Sequence, residues 1–260
     1  MICDADTWIG HWPFRALPHQ SVSDLLRQMD KHRVDKALVG SLHGLFYKDA
    51  HEANRELAKE VRRRRDRLVP CAVLNPAYWG WRQDLSQCCE EFGMPVLRLV
   101  PHYHGYSLAD PVAAEIVEAA LGLKMRVALF GRIVDDRGRH RLDPGREADG
   151  REVAAFLKRF PKASFLMLNF ADAPERRRWD KPACYFDIVR FVGGGGKRLQ
   201  SLIESYGADR LLFGTTLLLR YAKPTLLALE ACDLKPRDRE RILWKNLTRL
   251  IPAIRPGTRC

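Results

Sequence analysis

The sequence predicts a single-domain (β/α)8 TIM barrel of the α/β class, spanning residues 1–260. Three observations lead there. Eight short apolar runs alternate with amphipathic stretches along the whole chain. Several runs are continuously apolar, as parallel strands buried on both faces require. No linker, low-complexity tract or internal repeat divides them, and roughly 250 residues is the usual size of one such barrel. A doubly wound open sheet is the competing arrangement of the same units.

The strands are expected, in order, at ICDAD from residue 2, KALVGSL from 36, LVPCAVLN from 68 and PVLRLV from 95. They continue with RVALFGRI from 126, SFLMLNF from 164, CYFDIV from 184 and RLLFGT from 210. The first is followed by SVSDLLRQMDKH, where Ser21 or Ser23 offers a helix cap. DAHEANRELAKEVRRRR follows the second strand, and its arginines suit the negative end of a helix dipole. DLSQCCEEFG stops at Gly93, and ADPVAAEIVEAALGLK carries Pro111 in its first turn. GREVAAFLKRF, GKRLQSLIESYG, PTLLALEACD and a final RDRERILWKNLTRLI complete the helices.

Composition narrows the function classes. No apolar run approaches the roughly 20 residues that span a bilayer, and the amino terminus reads as a strand, not a leader. The seven cysteines are odd in number and contain no C-x-x-C pair, which points to reduced thiols in a cytoplasm. The net charge of +12 raises nucleic-acid binding. Its main basic runs, VRRRRDR (61–67) and ERRRWDK (175–181), stand apart and carry no recognition motif, so solvated helix faces and acidic small molecules are the preferred readings. A homo-oligomer is compatible with all of this.

A barrel places its active site at the carboxyl ends of the strands. There the chain offers Asp4 and Asp6, Ser41 and His43, Asn75, Arg98 with His102 and His104, and Arg132 with Asp135 and Asp136. Asn169, Asp187, Thr215 and Thr216 follow. The first pair poses the sharpest question, since two buried acids must be justified by a ligand, a proton or a structural partner.

These segments resemble the amidohydrolase-related proteins of the amidohydrolase superfamily, which contains metal-dependent hydrolases, decarboxylases and lactonases. The likeness rests on DADTWIGHWPFR, RLVPCAVLNP, GMPVLRLVPHYHGYSLADP, GADRLLFGTT and RERILWKNLTRLI, and so covers nearly the whole chain. The resemblance implies a barrel whose first strand reads Asp-x-His-x-His around a divalent metal. Here those positions are Asp4, Asp6 and Trp8. Strands five and six would each bring a histidine, but they end in FGRIVDDR and at Asn169. The strand-eight aspartate is replaced by Thr216. A catalytic zinc needs about three converging ligands. The chain is therefore expected to hold no cofactor, the family's metal site being degenerate.

Other residues are the expected machinery. Arg98, Arg132 and Arg15 would hold a small anionic substrate, with His104, Asn169 and Thr216 beside it. Asp6, His102 and Asp136 would move protons. Each has a structural alternative: Arg98 could pair with Asp4 or Asp6, both histidines could brace their loop, and Asp135 and Asp136 could join an ion-pair network. Gly131 could admit a ligand to the backbone. Trp12 could form an aromatic wall or pack its own loop. The run VGGGGKR (192–198) is either a flexible connection or an anion cradle. The leading expectation is a hydrolase, or a decarboxylase- or lactonase-like enzyme, acting on a small organic anion. The alternative is a non-catalytic barrel serving as ligand sensor or scaffold, recognisable by a mouth filled with Trp8 or Phe130.

Overall fold

The computed structural model describes residues 1–170 and 183–255. Its strands are β1 (Cys3–Ile9), β2 (Lys36–Ser41), β3 (Leu68–Pro70), β4 (Ala72–Val73) and β5 (Val96–Leu99). The later ones are β6 (Arg126–Phe130), β7 (Ser164–Leu168), β8 (Ala183–Asp187) and β9 (Leu211–Leu212). Each is parallel to its neighbours, in the orders β1-β2-β3 and β4-β5-β6-β7-β8-β9. β3 and β4 are one barrel strand interrupted at Cys71, whose N–H still reaches the Val39 carbonyl at 2.8 Å.

The ring closes. The Ala5 N–H donates to Phe213 O at 2.9 Å and the Trp8 N–H to Leu217 O at 2.5 Å, so the last strand pairs with the first. That closure excludes the open sheet and gives the expected eight-stranded barrel.

The helices wrap the outside: α1 (Val22–Lys31), α2 (Ala50–Val61), α3 (Trp81–Glu90), the short α4 (Pro101–His104) and α5 (Pro111–Gly122). Then come α6 (Gly150–Leu157), α7 (Lys197–Tyr206), α8 (Lys223–Glu230), α9 (Pro236–Glu240) and α10 (Asn246–Leu250). Ser21 caps α1: its hydroxyl takes the Asp24 N–H while Asp24 reaches back to the Ser21 N–H. Leu25 and Met29 then turn one face of α1 onto the sheet.

The final helix departs from the continuous one expected. A π turn over Arg241–Lys245 separates α9 from α10. There the Ile242 carbonyl accepts the Phe213 N–H at 2.8 Å, so the widened turn gives a helical acceptor to the last strand. The glycine run is also a packing device. A Cβ on Gly196 would lie 3.1 Å from the Ala231 Cβ and 3.2 Å from the Ala228 carbonyl, so α8 packs closely against the start of α7.

Two apolar clusters result. One lies between sheet and helices; the other, including Ala5, Trp8, Leu38, Val96, Ala128, Phe130 and Leu166, fills the barrel. No helix among the described residues is long and apolar enough to cross a membrane. The run ERRRWDK lies outside the described residues.

Candidate functional site

The two aspartates of β1 find hydrogen-bond partners at the far end of the chain. Asp4 is fully buried, accepts the Thr215 hydroxyl at 2.5 Å on Oδ2, and takes the Asp6 and Thr215 N–H groups on Oδ1 at 3.0 and 3.1 Å. Asp6 accepts the Thr216 hydroxyl at 2.9 Å on Oδ2. Its Oδ1 faces the Arg98 guanidinium at 3.5 Å. Thr216 holds this contact at φ +55°, a left-handed conformation costly for a β-branched residue. The Thr215–Thr216 pair therefore locks the seam where the last strand meets the first.

Burial pushes the Asp4 carboxyl up to about 7, opposed by the Thr215 hydroxyl. Burial also raises Asp6, opposed first by Arg98 and then by Thr216. Asp6 is thus fully buried inside the barrel, with one oxygen on Thr216 and the other facing Arg98. Thr216 gives its hydroxyl to Asp6.

Arg98 takes the structural alternative as well. It is fully buried, donating to Thr7 O at 2.9 Å and Leu38 O at 3.1 Å, with its guanidinium 4.5 Å from the Trp8 ring and 5.6 Å from Phe130. Trp8 packs 5.3 Å from Phe130. Gly40 makes the stack possible: a Cβ there would meet Arg98 Nη1 at 2.8 Å and the Trp8 ring at 3.0 Å. The expected substrate clamp is therefore a strut under Trp8.

A divalent cation does not suit this set of groups. Around Asp6 stand a guanidinium, an indole and a hydroxyl that donates, all poor cation ligands. No group of three or more His, Cys, Asp or Glu side chains suited to a metal occurs among the described residues.

The remaining expectations divide. His104 braces its loop through Nε2 to Gly44 O at 2.8 Å, and burial lowers its pKa. Asn169, fully buried at φ +56°, gives its side-chain amide to Ile133 O at 3.2 Å, and its N–H to Asp187 at 3.0 Å. Gly131 admits backbone, not ligand: a Cβ would lie 2.7 Å from the Asn169 carbonyl. Trp12 packs its own loop against Phe14, Phe46 and Tyr103. Asp135 joins the ion-pair network, with Arg137 at 3.0 Å and Arg132 at 3.3 Å, and these contacts hold its carboxyl well below the usual range. The side chain of Asp136 lies outside the described residues.

What stays open is off the axis. A cleft of about 440 Å³ sits over the ends of β5, β6 and β7, within the usual size range of a ligand site. Leu108, Leu129, Phe130 and Phe170 give it apolar walls, and His102, Tyr106, Arg146 and Glu152 give it polar groups. His102 and Arg146 also line a narrow recess that reaches Arg132. Burial and then Arg146 lower the His102 pKa, keeping the imidazole neutral near pH 7. The Tyr106 hydroxyl is buried with no hydrogen-bond partner among the described residues. Glu152 is not free to act as a base, because it accepts the Ser107 hydroxyl and the Leu108 N–H.

Beyond this cleft the mouth is crowded with cations. Arg190 binds Glu147 at 2.7 Å, and Arg132 lies 3.7 Å from the same carboxylate. Arg15 donates to Leu219 O at 3.2 Å. Arg220, in a loop no motif marks, has its Nη2 buried without a hydrogen-bond partner among the described residues. An unmade buried hydrogen bond costs roughly 1–3 kcal/mol. Burial first, then Arg132 and Arg190, lower its pKa. Sequence reasoning missed Gly40, Tyr106, Arg146 and Arg220. Gly40 alone carried a signal, as an isolated glycine inside a strand.

Comparison with solved structures places this architecture. The chain superposes on 5-carboxyvanillate decarboxylase from Sphingomonas paucimobilis with a TM-score of 0.74 at 12% identity, covering 96% of this chain and 98% of that one. 2,6-Dihydroxybenzoate decarboxylase from Rhizobium gives 0.70 at 15% identity, covering 96% and 98%. Dihydroxybenzoic acid decarboxylase from Polaromonas, solved with manganese and 2-nitroresorcinol, gives 0.72 at 15%, covering 98% and 97%. No protein-family model and no curated protein matches the sequence. At these identities the likeness is one of fold.

Proposed function

We propose that this barrel acts on a small organic anion, in the off-axis cleft of His102 and not on the barrel axis. The observation that carries this reading is the meeting of a neutral imidazole and a guanidinium in one apolar-walled space at the functional end of the barrel. Arg146, with Arg132 beyond the recess, binds the carboxylate. Phe130 and Phe170 bracket an apolar or aromatic body. His102 moves the proton, either activating a water for hydrolysis or returning a proton after loss of carbon dioxide. No step in this proposal uses a histidine-bound metal, since Trp8 and Arg98 surround Asp6. The fold neighbours that act on aromatic carboxylates support the substrate class, and the free thiols support a reducing cytoplasmic setting.

The test is a panel of aromatic carboxylates and lactones, read by thermal shift for binding and by product analysis for turnover. His102→Gln is expected to lower kcat by roughly 100-fold or more with binding retained, the usual scale of a general acid–base group. The proposal fails if turnover requires a stoichiometric metal, or if the variant turns over like the parent. A second reading, a non-catalytic ligand sensor, is favoured by one observation: Trp8 and Phe130 do fill the barrel axis. Binding without turnover across the panel would select it.

A further inference from the structure

A second cavity is larger than the cleft of His102. It is a groove of about 710 Å³ between α1, the loop after β1 and the loop leading into α8. Its composition is one-sided. Leu17, Leu217, Leu218, Leu219, Pro224 and Leu227 form an apolar floor, and no carboxylate is among its lining residues. Arg15, His19, Lys31, His32, Arg220 and Lys223 line it as cationic or protonatable groups.

Arg220 marks its inner end. Together with Arg15 and Leu219 it also lines a cavity of about 160 Å³ at the barrel mouth, so the guanidinium stands where the two spaces meet. Arg15 and Arg220 are the cations at this end, and a carboxylate head is the group that pairs with a guanidinium. At the other end, Leu227 is 49% exposed and Tyr221 80% exposed, so the apolar floor continues to the surface. The positive charge is felt locally: Lys31 and Lys223, after burial, hold the His32 imidazole below its ordinary value.

We propose that this groove binds a free amphipathic carboxylate, an acyl-chain acid whose head pairs with Arg220 and Arg15 and whose tail lies along Leu218 and Leu227. Charge complementarity fixes the sign of the ligand, the Arg15–Arg220 end fixes where its head goes, and the leucine floor demands an apolar body. The inference goes beyond the reading of the His102 cleft, since it requires no turnover.

Isothermal titration of decanoate into the full chain tests it, with butyrate and decanol as controls. Decanoate is expected to bind at least tenfold more tightly than either control, because each lacks one half of the ligand. Arg220→Gln should weaken decanoate at least tenfold, the effect of one charge-assisted hydrogen bond. Leu227→Glu, a rim substitution that leaves the core intact, should weaken decanoate and leave butyrate unchanged. Equal affinity for decanol overturns the proposal, as does decanoate binding that neither variant alters. Two further outcomes overturn it in favour of another occupant. One is binding to phosphatidylglycerol vesicles that decanoate does not displace. The other is a concentration-dependent dimer, in sedimentation without ligand, that Leu227→Glu abolishes.

Discussion

Replacing Arg98 with methionine tests the strut directly. Methionine keeps an apolar stem against Trp8 and Phe130, so the loss is electrostatic more than volumetric. Of the two carbonyls that Arg98 serves, Leu38 O keeps the Thr7 hydroxyl at 2.9 Å, and the loss falls on Thr7 O. Asp6 loses the cation 3.5 Å from its Oδ1 while staying fully buried. Removing one partner of a buried pair costs about 3–5 kcal/mol. At about 2–4 °C per kcal/mol for a chain of this size, Tm should fall by roughly 6–20 °C.

The pH dependence gives the sharper check. Burial raises the folded-state pKa of Asp6 above its unfolded value, and Arg98 opposes that rise. A carboxyl raised in the folded state contributes its stability below the unfolded pKa and loses it as pH climbs through the folded one. Without Arg98 the folded pKa rises further, so the penalty must be larger at pH 8 than at pH 5. Urea unfolding followed by circular dichroism at both pH values measures it. A penalty under about 1 kcal/mol, or one larger at pH 5, would refute the assignment of Arg98 as the charge partner of Asp6.

Three other outcomes follow from the same geometry. With its folded pKa near 7, Asp4 should make the parent lose stability between about pH 4 and pH 7; Asp4→Asn should flatten that slope, and an unchanged slope in thermal melts would count against a protonated Asp4. Gly40→Ala puts a methyl 2.8 Å from Arg98 Nη1 and 3.0 Å from the Trp8 ring, and should cost about 1–3 kcal/mol by overpacking; wild-type stability would contradict the filled axis. Thr216→Val removes the hydroxyl from Asp6 and should destabilise by about 1–3 kcal/mol in urea titrations without changing ligand affinity at the cleft; a selective loss of binding would return Thr216 to the substrate.

The strands were legible because buried parallel strands must be apolar along their length, a requirement visible in ICDAD, KALVGSL and SFLMLNF without any partner. The site was less so, because position along a strand does not say which way a polar group finds its satisfaction. Asp6, Arg98, Asn169 and Thr216 stand at strand ends as ligand-binding residues would, yet each completes a bond to another buried group. Their partners are remote in the chain: 210 residues separate Asp6 from Thr216. Only closure of the ring pairs them. Arg146 and Arg220 were illegible for the opposite reason, since nothing in a loop arginine's neighbours foretells the cavity it will face. The same physics links the two failures. Once the Asp–Thr seam and the Trp8–Arg98 stack fill the axis, the mouth's open spaces lie off it, and the groups that line them come from loops. In this barrel the polar strand ends stabilise the ring, and residues of α4 and the loops, His102, Arg146 and Arg15 among them, line the open spaces.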